Sequence, residues 1–445
     1  MNIGVWFPVY LTEVEFMNTF KTPYGLIGRK LGHSISPEIH AALGNPHYSL
    51  YELEPDELPV FLADTRLKAL NVTIPYKIDV IPLCKTLDPL AEAIGSVNTL
   101  VRQDDGTWKG YNTDAYGLRC MMRAGGLSFD GANVLVLGNG GVSQTIQAIA
   151  KLDGCAKLTV LDLSGTEYTY DDLPKFYADT TLIVNATPVG MYPNAGKSLV
   201  DLTNFPQLKG VADVIYNPAR TALLLQARAL GIPYAGGLTM LVAQAKQAAE
   251  HFFGSAIDDV KIAEIGSVMQ RDAENIVLIG MPGSGKSCIG EALGKLTGRT
   301  VIDLDAEIVN KAGKPIPEIF AESGEDGFRK IESEVVREQS AKRGVILVTG
   351  GGVVTRAENE APLRSNGRIC QICRPVSELS REGRPLSIGA DLTQMEAVRM
   401  PLYKQFADTA IENNSTPEAA AEQIWSDFCA YTRAEWTEFE HAGNP

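Results

Sequence analysis

"NIVLIGMPGSGKSCIG", residues 275–290, is an apolar run, a glycine-broken turn and the start of a helix-like stretch in immediate succession. Inside it Gly280–Ser287, GMPGSGKS, meets the pattern G-x-x-x-x-G-K-[ST] at every fixed position. The glycines let consecutive backbone N–H groups wrap a phosphate, Lys286 reaches the terminal phosphates, and Ser287 offers a hydroxyl to a divalent cation. The candidate nucleotide-binding residues are therefore Gly283, Ser284, Gly285, Lys286, Ser287 and Cys288, and the ligands implied are a nucleoside triphosphate and Mg²⁺. A strand before the loop and a helix after it make this an α/β unit, expected over residues 274–431 with a tail at 432–445.

Such a unit is far shorter than the 445-residue chain, so at least one further domain must precede it. With 45% apolar and 21% charged residues the chain reads as an ordinary globular protein. A formal charge of -14 argues against nonspecific binding to nucleic acid or to an anionic membrane surface, and points to small-molecule partners. The seven cysteines are scattered. The one close pair, Cys370 and Cys373 in "RICQICR", sits in a strand-like alternation, so buried structural thiols in a reducing cytoplasm are expected. Residues 1–22 have no basic start and no cleavage site, which makes them a poor signal peptide and an expected leader without chemistry, with Met17 as an alternative start. The sequence does not speak to oligomeric state.

The preceding 270 residues carry a glycine loop of their own. From Ala132, "ANVLVLGNGGVSQTIQAIAKL" runs strand, turn and helix, followed by a strand "KLTVLDL". That is half of a dinucleotide-binding unit, in which Gly138, Asn139, Gly140, Gly141 and Val142 would face a pyrophosphate at the helix N-terminus. Short apolar runs alternating with helix-like stretches from Tyr24 to about Gly117 indicate a further parallel or mixed sheet. The polar stretch from Ser255 to Glu274 reads as a helical linker.

The ordered strings "YGLIGRKLGHSISPEIH", "NVTIPYK", "AIGSVNT", "GYNTDAYG", "NATPVGM", "DVIYNP" and "GGLTMLVAQA" resemble the shikimate dehydrogenases over about residues 23–254. The resemblance implies a substrate domain (23–118), a Rossmann-like NAD(P) domain (119–235) and a returning helix (236–254). It further implies that Lys77 and Asp114 form the catalytic pair and that Ser34 and Ser36 hold the substrate carboxylate. Thr73, Asn98, Tyr216 and Gln244 would then hold ring hydroxyls, and Asn185, Thr187 and Gly237 would join the cofactor loop. The later unit, with "VIDLDAEI", "FRKIESEVV", "LVTGGGVV", "REGRPLS" and "VRMPLYKQF", resembles the shikimate kinases, a P-loop NTPase-type fold with a parallel sheet. That resemblance implies Arg329, Arg399 and the Gly350–Gly352 turn (Gly351 and Gly352 foremost) at the substrate and Asp305 as orienting group or base. It also implies Asp303 near the metal beside Ser287, and Arg384 closing over the site, with Arg381 a candidate for adenine.

In one place the chain departs from its first resemblance. The strand after the earlier glycine loop ends in Asp162, Leu163 and Ser164, where relatives using NADP carry an arginine-containing turn. An acidic residue there accepts hydrogen bonds from a ribose 2'-OH and repels a 2'-phosphate, so family membership implies NADP while Asp162 favours NAD. The reading is thus a bifunctional enzyme reducing 3-dehydroshikimate and phosphorylating the resulting shikimate. An NAD-dependent quinate/shikimate dehydrogenase as first half is the enzymatic alternative, and a regulatory pseudoenzyme comes from a different class.

Overall fold

The computed structural model describes residues 20–32, 34–163, 167–379 and 392–437. They fall into two compact units. The first comprises Ser128–Leu173, Thr239–Ile265 and the described residues up to Arg123; the second comprises Ala124–Leu127, Pro174–Leu238 and the described residues from Gly266 on.

The first unit opens with a six-stranded mixed sheet, order β2-β1-β3-β5-β6-β4. Its strands are β1 (Tyr24–Gly28), β2 (Tyr48–Glu52), β3 (Ala69–Val72), β4 (Thr86–Leu87), β5 (Thr99–Arg102) and β6 (Trp108–Tyr111). β1 pairs in parallel with β2 and β3, and β5 runs antiparallel to both β3 and β6. Ile27, Leu70, Val72 and Leu100 bury one core with Phe61 and Tyr76. The same unit holds β7 (Asn133–Leu137), β8 (Lys157–Asp162) and the two-residue β9 (Tyr168–Thr169), all parallel. After Asp162 the described residues form that short strand and a 3₁₀ stretch, Tyr170–Phe176.

One buried group gives this unit a pH signature. His40 is 1% exposed, stacks on Tyr48 with ring centroids 4.0 Å apart, and its Nδ1 has no hydrogen-bond partner. Burial pulls its pKa from the ordinary 6.5 down to about 3. The folded state therefore holds it neutral while the unfolded chain protonates near 6.5, so stability is constant above that pH and falls as pH drops toward 3. Between pH 7.5 and 5 the loss should be about 2 kcal/mol. Urea unfolding at pH 7.5 and 5.0 checks this as a difference: the change in stability between the two pH values should be less favourable in wild type than in His40→Leu by about that amount.

The second unit begins with three parallel strands, β10 (Leu182–Asn185), β11 (Gly210–Asp213) and β12 (Tyr234–Gly236). It ends in an all-parallel five-stranded sheet, order β14-β15-β13-β16-β17. Its strands are β13 (Asn275–Ile279), β14 (Val301–Asp303), β15 (Ile346–Val348), β16 (Gly367–Cys373) and β17 (Thr409–Glu412). "NIVLI" is apolar at nearly every position because helices cover both faces: Val277 and Ile279 enter one core, Ile276 and Leu278 the other. The order places β13 between β15 and β16, so the chain leaves it at the point where the sheet's winding reverses, the usual place for a ligand crevice. The stretch read as a helical linker contains the helix Val260–Ala273. Cys370 is buried in β16, and burial pushes its thiol up to about 12, whereas Cys373 at the end of the same strand is only half-buried.

Candidate active sites

In the first unit the two residues expected to be catalytic come together. Lys77 follows β3 and Asp114 opens the helix Asp114–Ala124, and although 37 residues separate them, Lys77 Nζ donates to Asp114 Oδ2 at 2.6 Å. Their side chains are 13% and 9% exposed, which leaves the pair partly desolvated yet reachable. Asn98 holds the other face of the carboxylate: its Nδ2 lies 3.0 Å from Asp114 Oδ1, 3.0 Å from Thr113 Oγ1 and 3.3 Å from Gln244 Oε1. Its Oδ1 accepts from the Thr113 amide at 2.7 Å. Asn98 and Gln244, from distant parts of the chain, are thereby brought to the pair. Ser34 and Ser36 come together as well, hydroxyl to hydroxyl at 3.0 Å. Thr73 is fixed through its amide to Ile27 O at 2.9 Å.

The earlier glycine loop approaches the same lysine. Gly138 takes φ 95°, which a side chain rarely adopts, and a Cβ on Gly141 would stand 3.9 Å from Lys77 Cδ. Asn139 Oδ1 accepts from Gln147 Nε2 at 3.1 Å, tying the loop to its own helix, Gly141–Leu152, of which Val142 is the second residue. Asp162 ends β8 opposite Thr169. Its carboxylate adds to burial in pushing the Tyr170 phenol up to about 12. Ser164 lies outside the described residues.

In the second unit Asn185 and Thr187 form a closed turn: Asn185 Oδ1 accepts from Thr187 N at 3.1 Å and Oγ1 at 2.7 Å. Asn185 Nδ2 donates to Asp213 Oδ1 at 3.0 Å. Asp213 was missed by sequence reasoning. It is fully buried, also accepts from Ile215 N and Thr221 Oγ1, and burial outweighs these bonds to raise its pKa to about 6. Tyr216 follows it by three residues. Gly237 packs so tightly on Val214 that any Cβ would overlap the carbonyl there.

The later phosphate loop has the geometry of an anion cradle. Gly280, Gly283 and Gly285 take φ of 145°, 87° and 99°, and Lys286 Nζ lies 2.9 Å and 3.0 Å from the Gly280 and Met281 carbonyls. Ser287 and Cys288 are exposed in the first turn of the following helix. Asn413, also missed, donates to Ser284 O at 2.7 Å and occupies the space a Cβ on Gly285 would need. It therefore sets the loop's shape from behind.

Around the Gly350–Gly352 turn the residues expected at the second substrate converge. A Cβ on Gly350 would meet Asp305 Oδ1 at 2.7 Å, and one on Gly352 would overlap the Arg329 guanidinium. Arg399 Nη1 donates to Gly351 O at 3.1 Å. Arg329 pairs with buried Glu332 at 2.8 Å and borders an open cleft of about 530 Å³ with Ser323, Glu325 and Arg356. Glu332, three residues along the same helix, was not singled out from sequence; burial raises its pKa while Arg329 opposes the shift. Asp303 Oδ1 caps the helix Leu304–Ala312, accepting from Asp305 N at 2.9 Å and Ala306 N at 3.3 Å, and so aims Asp305. Arg381 and Arg384 lie outside the described residues, where no position is assigned to them.

Residues 26–100 match the family model for the shikimate dehydrogenase substrate binding domain and residues 282–428 that for shikimate kinase. A shikimate dehydrogenase (NADP(+)) of Clostridium perfringens is 34% identical over 53% of this chain and 93% of its own length. A shikimate kinase of Nitrosomonas europaea is 37% identical over 43% of this chain and 92% of its own length. The chain belongs to both families, shikimate dehydrogenase and shikimate kinase. It is a bifunctional shikimate-pathway enzyme, the dehydrogenase half preceding the kinase half. Among solved structures, a chorismate mutase/shikimate 5-dehydrogenase fusion protein from Clostridium acetobutylicum is 32% identical, covering 56% of this chain and 96% of its own, at TM-score 0.53. Shikimate dehydrogenase 1 of Peptoclostridium difficile is 30% identical over 55% and 97%, at TM-score 0.51. The names of the dehydrogenase relatives and the kinase family imply NADP and ATP as the nucleotides. None of the described helices is long and apolar enough to cross a membrane.

Proposed function

We propose that the enzyme runs two consecutive steps on one ring: the ketone of 3-dehydroshikimate is reduced at Lys77 and Asp114, and the hydroxyl of shikimate is then phosphorylated at Asp305. The observation that carries the first step is the 2.6 Å ion pair with Asn98 at its back. Ketone reduction needs hydride at carbon and a proton at oxygen. A nicotinamide supplies the hydride when bound. Lys77 donates the proton to the developing alkoxide, and Asp114 holds the ammonium in place. Ser34 and Ser36 give two adjacent hydroxyls for the carboxylate, while Thr73, Asn98, Tyr216 and Gln244 serve the ring hydroxyls.

In the second site Arg329 and Arg399 bind the carboxylate through charge-assisted bonds. Asp305, aimed by the Asp303 cap, accepts the hydrogen of the attacking hydroxyl. Lys286 and the glycine amides hold the β- and γ-phosphates, and Arg384 completes the charge neutralisation. Mg²⁺ fits the residues present, since Ser287 and Asp303 provide the hard oxygen donors it prefers, and it would offset phosphate charge. Arg399→Ala should raise the KM for shikimate in the kinase reaction about 10- to 100-fold, the size of a lost hydrogen bond to a charged group, with the KM for ATP little changed. An unaltered shikimate KM rules out the carboxylate role.

Asp162 bears on the choice of dinucleotide. Its carboxylate ends β8 where a 2'-phosphate would approach, so we read this enzyme as accepting NADH beside NADPH, in contrast to the NADP(+) named for its relatives. Measuring kcat/KM with both cofactors decides it: a ratio within about tenfold supports the reading, and Asp162→Ser should then shift the ratio toward NADPH by roughly 1 kcal/mol or more. An NADPH preference of several hundredfold in the wild type overturns it. Cytoplasmic location and the domain limits given above accompany this reading as proposals.

A further inference from the structure

Asn413 stands directly after β17, the strand at one edge of the five-stranded sheet, and is 6% exposed. Its backbone is tied to the neighbouring strand β16, the amide donating to Cys373 O at 2.8 Å. Its side chain turns to the phosphate loop, where Nδ2 lies 2.7 Å from Ser284 O. An amide oxygen that close to a carbonyl would repel it, so the NH₂ end faces the loop. The same nitrogen occupies the place that a Cβ on Gly285 would take, and Gly285 has φ 99°.

This bond fixes the direction of one peptide group. In a trans peptide the C=O and the N–H point opposite ways. With Ser284 O held by Asn413, the Gly285 N–H is turned away from Asn413. The peptide before a glycine can rotate as a plate, because glycine accepts positive and negative φ at similar cost; the same rotation separates type I from type II turns. Ser284 does not hold the plate by itself. It is fully buried, its hydroxyl has no partner among the described residues, and its N–H, bonded to Met281 O at 3.2 Å, belongs to the preceding peptide. A flipped plate would present the Ser284 carbonyl where an anion cradle needs an N–H, and the carbonyl dipole repels a phosphate oxygen.

We propose that Asn413 is a positioning residue for nucleotide binding, selecting the orientation of the Ser284–Gly285 peptide in which the Gly285 N–H is available to the triphosphate. The proposal rests on the reading of Gly280–Ser287 as the ATP cradle. Lys286, whose ammonium lies 2.9 Å and 3.0 Å from the Gly280 and Met281 carbonyls, supplies charge to the phosphates. Asn413 supplies direction, and does so from the edge of the sheet without touching a phosphate.

The test uses the full chain and inorganic tripolyphosphate, which carries the phosphates of ATP without its nucleoside. Asn413→Leu keeps roughly the size of the side chain but cannot donate. It should raise the KM for ATP and the calorimetric Kd of tripolyphosphate together by about five- to tenfold, the size of one net hydrogen bond, with kcat and the shikimate KM within about twofold. Asn413→Asp, which sets an acceptor against Ser284 O, should raise both further. Dehydrogenase turnover in the same preparations should equal wild type. Lys286→Ala is the control for the underlying reading. If it leaves the tripolyphosphate Kd unchanged, the cradle reading fails and the proposal with it. If Lys286→Ala weakens tripolyphosphate binding while both Asn413 variants keep wild-type constants, the cradle stands and Asn413 only fills space, which overturns the proposal. A rise in the KM for ATP with the tripolyphosphate Kd unchanged puts Asn413 at the nucleoside and overturns it as well. So does an equal rise in the shikimate KM, the mark of a loosened kinase fold.

Discussion

Lys77→Ala should reduce the turnover of 3-dehydroshikimate by roughly 10²- to 10⁴-fold, the range of a lost general acid, while the substrate KM changes by less than about tenfold. The split follows from what the lysine touches. Its ammonium engages Asp114 at 2.6 Å, and its work is done when negative charge develops on the ketone oxygen, so its removal is felt in the transition state more than in the ground state. On the proposed assignment, substrate affinity rests on hydroxyl and amide groups that the substitution leaves in place. Ser34 and Ser36 still face each other, and Asn98 keeps its bonds to Thr113 and Gln244. Asp114 loses its ion-pair partner but keeps the Asn98 amide, so the fold should survive. Kinase turnover in the same preparation is the internal control: it should be unchanged. Near-wild-type reduction by Lys77→Ala removes the lysine from the chemistry.

The legibility of this molecule in its sequence follows a physical division. The phosphate loop was legible because its constraints are local: three glycines at positive φ, a lysine and a hydroxyl all lie within eight residues. The apolar run of β13 likewise announced a strand, and the structure shows it covered on both faces. Lys77 and Asp114 lie 37 residues apart, and their pairing came only through the order of motifs resembling a family. Side chains that act through distant contacts were invisible. Asn413 reaches the phosphate loop across 129 residues and Arg220 reaches Glu274 across 54, and neither stands in any local pattern. Glu332 did carry a signal, an acid three positions after Arg329 on one helix face, but such spacing is common on solvated helices. Asp213 looked like one more strand residue until burial and three hydrogen bonds showed what it holds. In the D-x-D of the kinase half, Asp303 also caps the helix Leu304–Ala312 through Oδ1, a role the sequence pattern did not reveal.

Asp305→Asn carries the largest effect expected in the kinase half. The amide is nearly isosteric, so the Asp303 cap, which bonds the backbone of residue 305 and not its side chain, stays intact. What changes is direction: a carboxylate oxygen accepts a hydrogen bond from the attacking hydroxyl, whereas an amide can present N–H to it and accepts more weakly. Phosphoryl transfer depends mainly on alignment and charge stabilisation, so losing the group that orients the nucleophile should cost roughly 10²-fold or more in kcat. The KM for ATP should hardly move, because Lys286 and the glycine loop are untouched, and the shikimate KM should rise only slightly while Arg329 and Arg399 remain. Two further readings make the result specific. The dehydrogenase rate of the variant should equal wild type, so that a mixture with 3-dehydroshikimate, NADPH and ATP accumulates shikimate at the normal rate while ADP release is slowed. A variant in which ADP release keeps pace with dinucleotide oxidation under kinase-limited conditions contradicts the role of Asp305. A parallel fall in both activities points instead to damage of the shared second unit, which the melting temperature would reveal.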